Sequence, residues 1–145
     1  MRVYLDTNVL VAASIQEHQH HVQSFDLVKA VREGTLEGCI GTHGLAEFYS
    51  VLTRAPFSPR VHPAEAGRLL NENILPYFQL IALSAQDYKA VLRSCSSAGL
   101  IGGLVFDVLH MRSAEKAECD RIYTFNVKDF RSLASAELAA KIAAP

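Results

Sequence analysis

Apolar residues in this chain follow two rhythms. Short continuous runs alternate with longer stretches in which apolar positions recur every three or four residues. The first pattern predicts buried strands and the second predicts amphipathic helices. Residues 2–6 read as a strand, followed by Thr7-Asn8 turn or cap chemistry and a helical turn or two over 9–15. The polar tract Glu17-His18-Gln19-His20-His21 joins this to a helix over 22–33, whose apolar stripe is Phe25, Leu27, Val28 and Val31. Gly34 stops that helix.

The pattern then repeats. Residues 37–41 read as a second strand, and Thr42 as the N-cap of a helix over 43–54. Ala55-Pro56-Phe57-Ser58-Pro59 breaks the chain, and Pro63 sits where a first helical residue tolerates proline, opening a helix over 63–75. A third strand is expected over 78–83, then a helix capped by Ser84 and running to 96, with Asp87 in its first turn. A flexible link over 97–103 leads to a helix over 104–116 and a fourth strand over 121–125. Residues 126–130 begin a short helix or turn, and the tail over 137–144 fits either a helix or a short last strand.

Strands alternating with helices predict an α/β fold with a mainly parallel central sheet of four to five strands, flanked by helices. No repeat or linker divides residues 1–145, so one domain is expected. Sites in such sheets lie beyond the carboxyl ends of the strands. Asp6, Thr42 and the residues after Thr124 occupy such ends.

Composition narrows this modestly. Half of the 145 residues are hydrophobic, which favours a packed core over disorder. A formal charge of −1 does not advertise a nucleic-acid binder, so such a role would rest on a local basic surface. Cys39, Cys95 and Cys119 are odd in number and lack Cys-x-x-Cys spacing, which argues against a disulfide framework or zinc knuckle. The start does not resemble a signal peptide and no run is long enough to span a membrane, so a cytoplasmic protein without membrane association is expected. The His18/His20/His21 tract could bind metal, but a solvated loop is the expectation.

Three acids are out of place. Asp6 ends an apolar strand, Glu47 lies inside Leu45-Ala46-Glu47-Phe48-Tyr49, and Asp107 lies inside Leu104-Val105-Phe106-Asp107-Val108-Leu109. Asp is also a poor helix-interior residue. Any one of them could pair with Arg, Lys or a backbone N–H, and Asp6 could simply cap the next helix. Together they point to one end of the sheet, with few basic residues near them in sequence. Clustered carboxylates repel, and a hard divalent ion, Mg²⁺ or Mn²⁺, would settle them better than a basic side chain. Such a site suits phosphoryl chemistry. Thr124, Asn126 and Asp129 could add oxygens, although N-cap chemistry explains them equally. No Gly-rich phosphate loop with Lys and no Ser-His-Asp or Cys-His arrangement stands out.

These residues together resemble the PIN domain, and within it the VapC-like toxin ribonucleases of toxin–antitoxin modules. Leu5-Asp6-Thr7-Asn8-Val9-Leu10 is similar to the first family motif. Thr42-His43-Gly44-Leu45-Ala46-Glu47-Phe48-Tyr49, running on to Pro56, is similar to the second. Gly102 to His110 resembles the third, and Thr124 to Phe130 the fourth. The resemblance implies a Mg²⁺-dependent endoribonuclease, a homodimer, and a small antitoxin that covers the site. Asp6, Glu47, Asp107 and Asp129 would be catalytic. Asp6 and Asp107 would hold the metal directly, with Glu47 and Asp129 acting through water or a second ion. Thr7, Asn8, Thr124, Asn126, Arg112 and Lys116 would position substrate; Arg112 and Lys116, one helical turn apart, share a face. The chain departs from the family at Asn126, where an acid is common. Its amide oxygen carries no charge, and Asp129 is the candidate to replace it.

Two other readings fit parts of the pattern. One is a catalytically inactive PIN-like binding module, which Asn126 would suit. The other is a receiver-like Mg²⁺-binding signalling domain, although the paired acids it needs at the first strand are missing.

Overall fold

Arg2–Leu5 forms β1, the middle strand of the sheet. The computed structural model describes residues 1–145. After β1 come α1 (Thr7–Ser14), α2 (His21–Arg32), β2 (Glu37–Gly41) and α3 (Thr42–Arg54). The chain continues through α4 (Pro63–Leu69), β3 (Gln79–Ile81), α5 (Ala85–Ser97), α6 (Leu104–Lys116), β4 (Arg121–Tyr123), α7 (Val127–Leu133), α8 (Ala136–Ala139) and β5 (Ile142–Ala143). All neighbouring strands are parallel, in the order β3-β2-β1-β4-β5. The expected α/β architecture is therefore present, with five strands.

Side chains alternate across β1, and so divide the core. Val3 and Leu5 face a cluster built with Val9, Leu10, Phe48 and Leu52 of α1 and α3. Tyr4 faces the opposite cluster, with Met111 of α6, Ile122 of β4, Phe130 of α7 and Ile142 of β5. Val3, Tyr4 and Leu5 are fully buried, as expected for a central parallel strand covered by helices on both sides. Burial of each such aliphatic side chain contributes about 1.5–3 kcal/mol.

Several boundaries differ from the sequence expectation. Helix α1 begins at Thr7, directly after Asp6. Thr42 is the first residue of α3, and Gly41 is its N-cap. A side chain at Gly41 could not be accommodated: its Cβ would lie 2.5 Å from His43 Cε1 and 2.9 Å from Ser113 Oγ. The helix expected over 63–75 is α-helical only to Leu69 and continues as one π-helical turn, Leu70–Ile74. Strand β3 keeps three of the six expected residues. The tail holds both alternatives, the short helix α8 and then the two-residue β5. Gly34, with φ of 75°, ends α2 in the left-handed conformation expected of it. All three cysteines are free and buried. No helix is long and apolar enough to cross a membrane.

Candidate active site

The sheet changes direction at β1. The chain builds outward through β2 and β3, then returns to place β4 on the other side of β1. A crevice opens at such a switch point, beyond the carboxyl ends of the two strands. Asp6 follows β1 and Thr124 follows β4. The Asp6 N–H donates to Tyr123 O at 2.9 Å, and the Thr124 hydroxyl donates to Asp6 Oδ2 at 2.7 Å. Asp6 holds the N-cap position of α1 with extended backbone, but its carboxylate makes no cap hydrogen bond.

His110, on α6, stands between Asp6 and Glu47. Its Nε2 lies 3.4 Å from Asp6 Oδ1 and 3.3 Å from each Glu47 oxygen. Its Nδ1 lies 2.7 Å from Tyr4 Oη, which accepts the Gly41 N–H at 3.0 Å. Burial pushes the Tyr4 phenol up, so it keeps its proton. When His110 is neutral we assign Tyr4 as donor to Nδ1, with Nε2–H facing the two carboxylates; when it is charged, Nδ1–H donates to Tyr4 Oη instead and Nε2–H keeps its place. Asp107, Glu47 and Asp6 line one cleft of about 340 Å³ with Thr7, Asn8 and Asn126. Val11, Val51, Phe57 and His18 complete its lining.

A PIN domain family model matches residues 3–136. The chain belongs to the PIN-domain family. It is 34% identical to Ribonuclease VapC27 of Mycobacterium tuberculosis over 105 residues, 72% of this chain and 71% of that protein. Its fold is similar to that of Mycobacterium tuberculosis VapC20, described as a sarcin-ricin loop cleaving toxin. The TM-score is 0.71 at 15% identity, covering 93% of this chain and 97% of that one. The fold is also similar to VapBC2 from Rickettsia felis bound to a promoter DNA fragment. There the TM-score is 0.62 at 21% identity, covering 91% and 92% of the two chains.

The acids of this PIN domain are held in tension. Burial raises the Asp6 carboxyl, while His110 and Thr124 pull it back. Asp107 is pushed up to about 6, by burial first and then by the charges of Asp6, Asp129 and Glu47, against the pull of His110. Burial also opposes the Glu47 charge, but the His110 hydrogen bond and charge outweigh it and leave Glu47 below the usual range. His110 is raised in turn; burial works against its charged form, and Glu47, Asp6 and Asp107 prevail. Glu47 Oε1 and Thr7 Oγ1 are buried without a hydrogen-bond partner. Three carboxylates share one imidazole here, and Glu47 Oε1 has only its 3.3 Å approach to His110 in place of a well-formed hydrogen bond, so a hard cation with oxygen ligands would relieve the cluster. The residues present therefore fit a divalent ion.

Other expected residues fall into three groups. Thr7, Asn8 and Asn126 line the cleft. Asn8 also ties α1 to the end of β4, with Nδ2 3.4 Å from Thr124 Oγ1 and Oδ1 accepting the Phe125 N–H at 3.3 Å. The Asn126 N–H donates to Thr124 Oγ1 at 3.0 Å. Asp129 is exposed in the first turn of α7 and does not line the cleft; only its charge reaches Asp107. Arg112 and Lys116 do share a face, but it points away from the cleft. Both grip Asp87 of α5, at 2.9 and 2.8 Å.

Three expectations are corrected. A basic side chain does reach Asp6, because His110 is one turn on from Asp107. Asp107 sits in the first turn of α6, where the helix dipole favours an acid, and not in the helix interior. The histidine tract is only partly solvated: His18 borders the cleft, His20 stacks on Phe125 with ring centres 4.4 Å apart, and His21 lies 3.0 Å from Ala12 O. Sequence reading missed Tyr4, His110 and His43 as site residues. The i,i+3 spacing of Asp107 and His110, and the i,i+4 spacing of His43 and Glu47, were signals that could have found the two histidines.

Proposed function

We propose that this PIN domain is a toxin ribonuclease of the VapC kind, an endoribonuclease that hydrolyses RNA phosphodiesters with the help of Mg²⁺, for which Mn²⁺ can substitute. The observation that carries the reading is the convergence of Asp6, Glu47 and Asp107 on one cleft, with Glu47 Oε1 buried and unpartnered. Similarity to a protein named as a ribonuclease supports it.

Asp6 and Asp107 would hold the ion. When bound, the ion acidifies water and neutralises charge building on the phosphodiester. Glu47, whose Oε1 lacks a well-formed hydrogen bond, would orient the attacking water or take a second ion, while Asp129, outside the cleft lining, would act only at longer range. Thr124 and His110 fix the Asp6 carboxylate in place, so little reorganisation is needed when charge develops. Asn126, exposed at the mouth of the cleft, offers an amide to the substrate beside Thr7 and Asn8. Arg112 and Lys116 are engaged by Asp87 and have no part in this reading.

The structural neighbours include VapBC2 and FitAcB from Neisseria gonorrhoeae, at 14% identity and a TM-score of 0.63. They support the further proposal that a small antitoxin covers the cleft; the proposal adds, on the family resemblance alone, a cytoplasmic homodimer in which residues 1–145 act as one domain. Chelation tests the reading. EDTA should stop RNA cleavage by the purified chain, and Mg²⁺ or Mn²⁺ should restore it. Cleavage undiminished by EDTA would overturn it. Asn126 favours a second reading, a PIN domain that binds without cutting. Calorimetry separates the two, because a domain with a lost site would show no saturable Mn²⁺ binding.

A further inference from the structure

We propose that His43, Glu47 and His110 form a site for a borderline divalent cation of the Zn²⁺ class, sharing only Glu47 with the carboxylate set. The ligand atoms of these three side chains lie within 4.8 Å of one another. His43 and Glu47 are four residues apart on α3, the spacing that puts two donors on one helix face. His110 comes from α6, so the site would bridge two helices.

His43 points to a ligand independently of the acids. Its side chain is only 10% exposed, and neither ring nitrogen has a hydrogen-bond partner. Its Nε2 lies 3.9 Å from Glu47 Oε1, the carboxylate oxygen that is also unpartnered. A buried imidazole with two idle nitrogens stands beside a carboxylate oxygen that has no well-formed hydrogen bond and only the His110 ring nitrogen, at 3.3 Å, for company. A cation between them satisfies both.

The second histidine is already supported for the same task. A ligating imidazole usually passes its other N–H to an acceptor. Tyr4 Oη lies 2.7 Å from His110 Nδ1, and a phenol can accept as well as donate. A shift of the His110 proton from Nε2 to Nδ1 frees Nε2 for the metal and turns the Tyr4 hydrogen bond around, without moving either ring. Two imidazoles and one carboxylate suit Zn²⁺ far better than Mg²⁺, which takes oxygen donors. An ion seated here draws Glu47 away from Asp6 and Asp107. Zn²⁺ is then an inhibitor of any chemistry that needs Glu47. That consequence rests on the ribonuclease reading; the binding itself does not.

Co²⁺, which takes Zn²⁺ sites and reports its coordination in its visible spectrum, is the probe. Metal-stripped wild-type protein should bind Co²⁺ with the intense bands of a low-coordinate site, displaced by Zn²⁺. His43→Asn should weaken Co²⁺ and Zn²⁺ binding by at least about tenfold while Mn²⁺ affinity changes less than about twofold. Asp107→Asn should keep the Co²⁺ bands. A His43→Asn variant with unchanged Co²⁺ affinity and bands would overturn the proposal. So would loss of the bands in Asp107→Asn, because the ion would then sit among the carboxylates. Should His43→Asn fail to fold, nitrogen NMR of the wild-type histidines decides. Zn²⁺ must shift the ring signals of His43 and His110, and unmoved signals refute the site. In cleavage assays with Mg²⁺ in excess, Zn²⁺ should inhibit the wild type and not His43→Asn. Absence of cleavage under any condition would refute the ribonuclease reading and leave the spectra as the test of this site.

Discussion

Two buried acids in this chain live in opposite circumstances. Asp87 of α5 and Asp6 after β1 are 7% and 5% exposed. Asp87 forms a capping box with Ser84, receiving its N–H at 2.8 Å, and also takes hydrogen bonds from Arg112 and Lys116. Lys116, Ser84 and Arg112 hold it well below the usual carboxylate range. Asp6 has one hydroxyl and a shared imidazole, and two further acids crowd the same cleft. Burial raises it. Both side chains are hidden from solvent, but burial is the leading influence on Asp6, whereas at Asp87 the Lys116, Ser84 and Arg112 donors outweigh it. Where permanent donors surround an acid, it fastens the fold. Where they are withheld, the cost is carried until something else supplies positive charge.

The largest expected effect separates the two acids outright. Asp6→Asn or Asp107→Asn should lower RNA cleavage at least about 100-fold, with thermal stability kept or raised because a repelling charge is gone. Wild-type cleavage by both variants would end the distinction. Asp87→Ala should do the reverse. It should cost about 2 kcal/mol in urea unfolding, from the lost cap and charged hydrogen bonds, while cleavage per folded molecule stays unchanged.

A smaller effect lies in the pH dependence, where the two acids have opposite signs. Asp107 moves from an ordinary 3.8 to about 6 in the folded chain. An acid raised in this way favours the fold only while protonated, so its contribution is complete below about pH 4 and gone above about pH 6. Asp87 is depressed, so its contribution is present above about pH 4 and disappears as pH falls through its folded value. Metal-free melts should therefore show a loss of about 1 kcal/mol between pH 4 and 6.5, discounted for the partial exposure of Asp107. Asp107→Asn should flatten that slope. The smallest effect is at Asn126: Asn126→Asp should tighten Mn²⁺ binding by about threefold to tenfold in calorimetry, by adding a charge at the cleft.

The same contrast explains what could be read from the chain. The order of strands and helices follows from apolar periodicity, and it held except at boundaries set by tertiary contacts. The cap falls on Gly41, one residue before Thr42, at a position where His43 and Ser113 leave no room for a side chain. Asp6, Glu47 and Asp107 were visible because acids in apolar runs are conspicuous. Their neutral and aromatic neighbours were not. Tyr4 and His110 look like ordinary core residues, and their meeting depends on a contact spanning 106 positions. Arg112 and Lys116 were visible as a basic pair, but basic pairs reveal nothing of their partner. Only packing of α6 on α5 shows that the partner is an acid of this chain and not a phosphate.

The switch point in the sheet also bears on the chain during its synthesis. Asp6 precedes by 118 residues the Thr124 whose hydroxyl fixes it, and the strand before Asp6 pairs with β4. His110, which joins Asp6 to Glu47, lies in the last third of the chain. Contacts of such long range close late. A nascent or truncated chain ending before β4 has the three acids but no assembled cleft to hold them. Emergence of β4 and β5 is thus the step at which the polypeptide acquires its assembled cleft, after all three acids have been laid down.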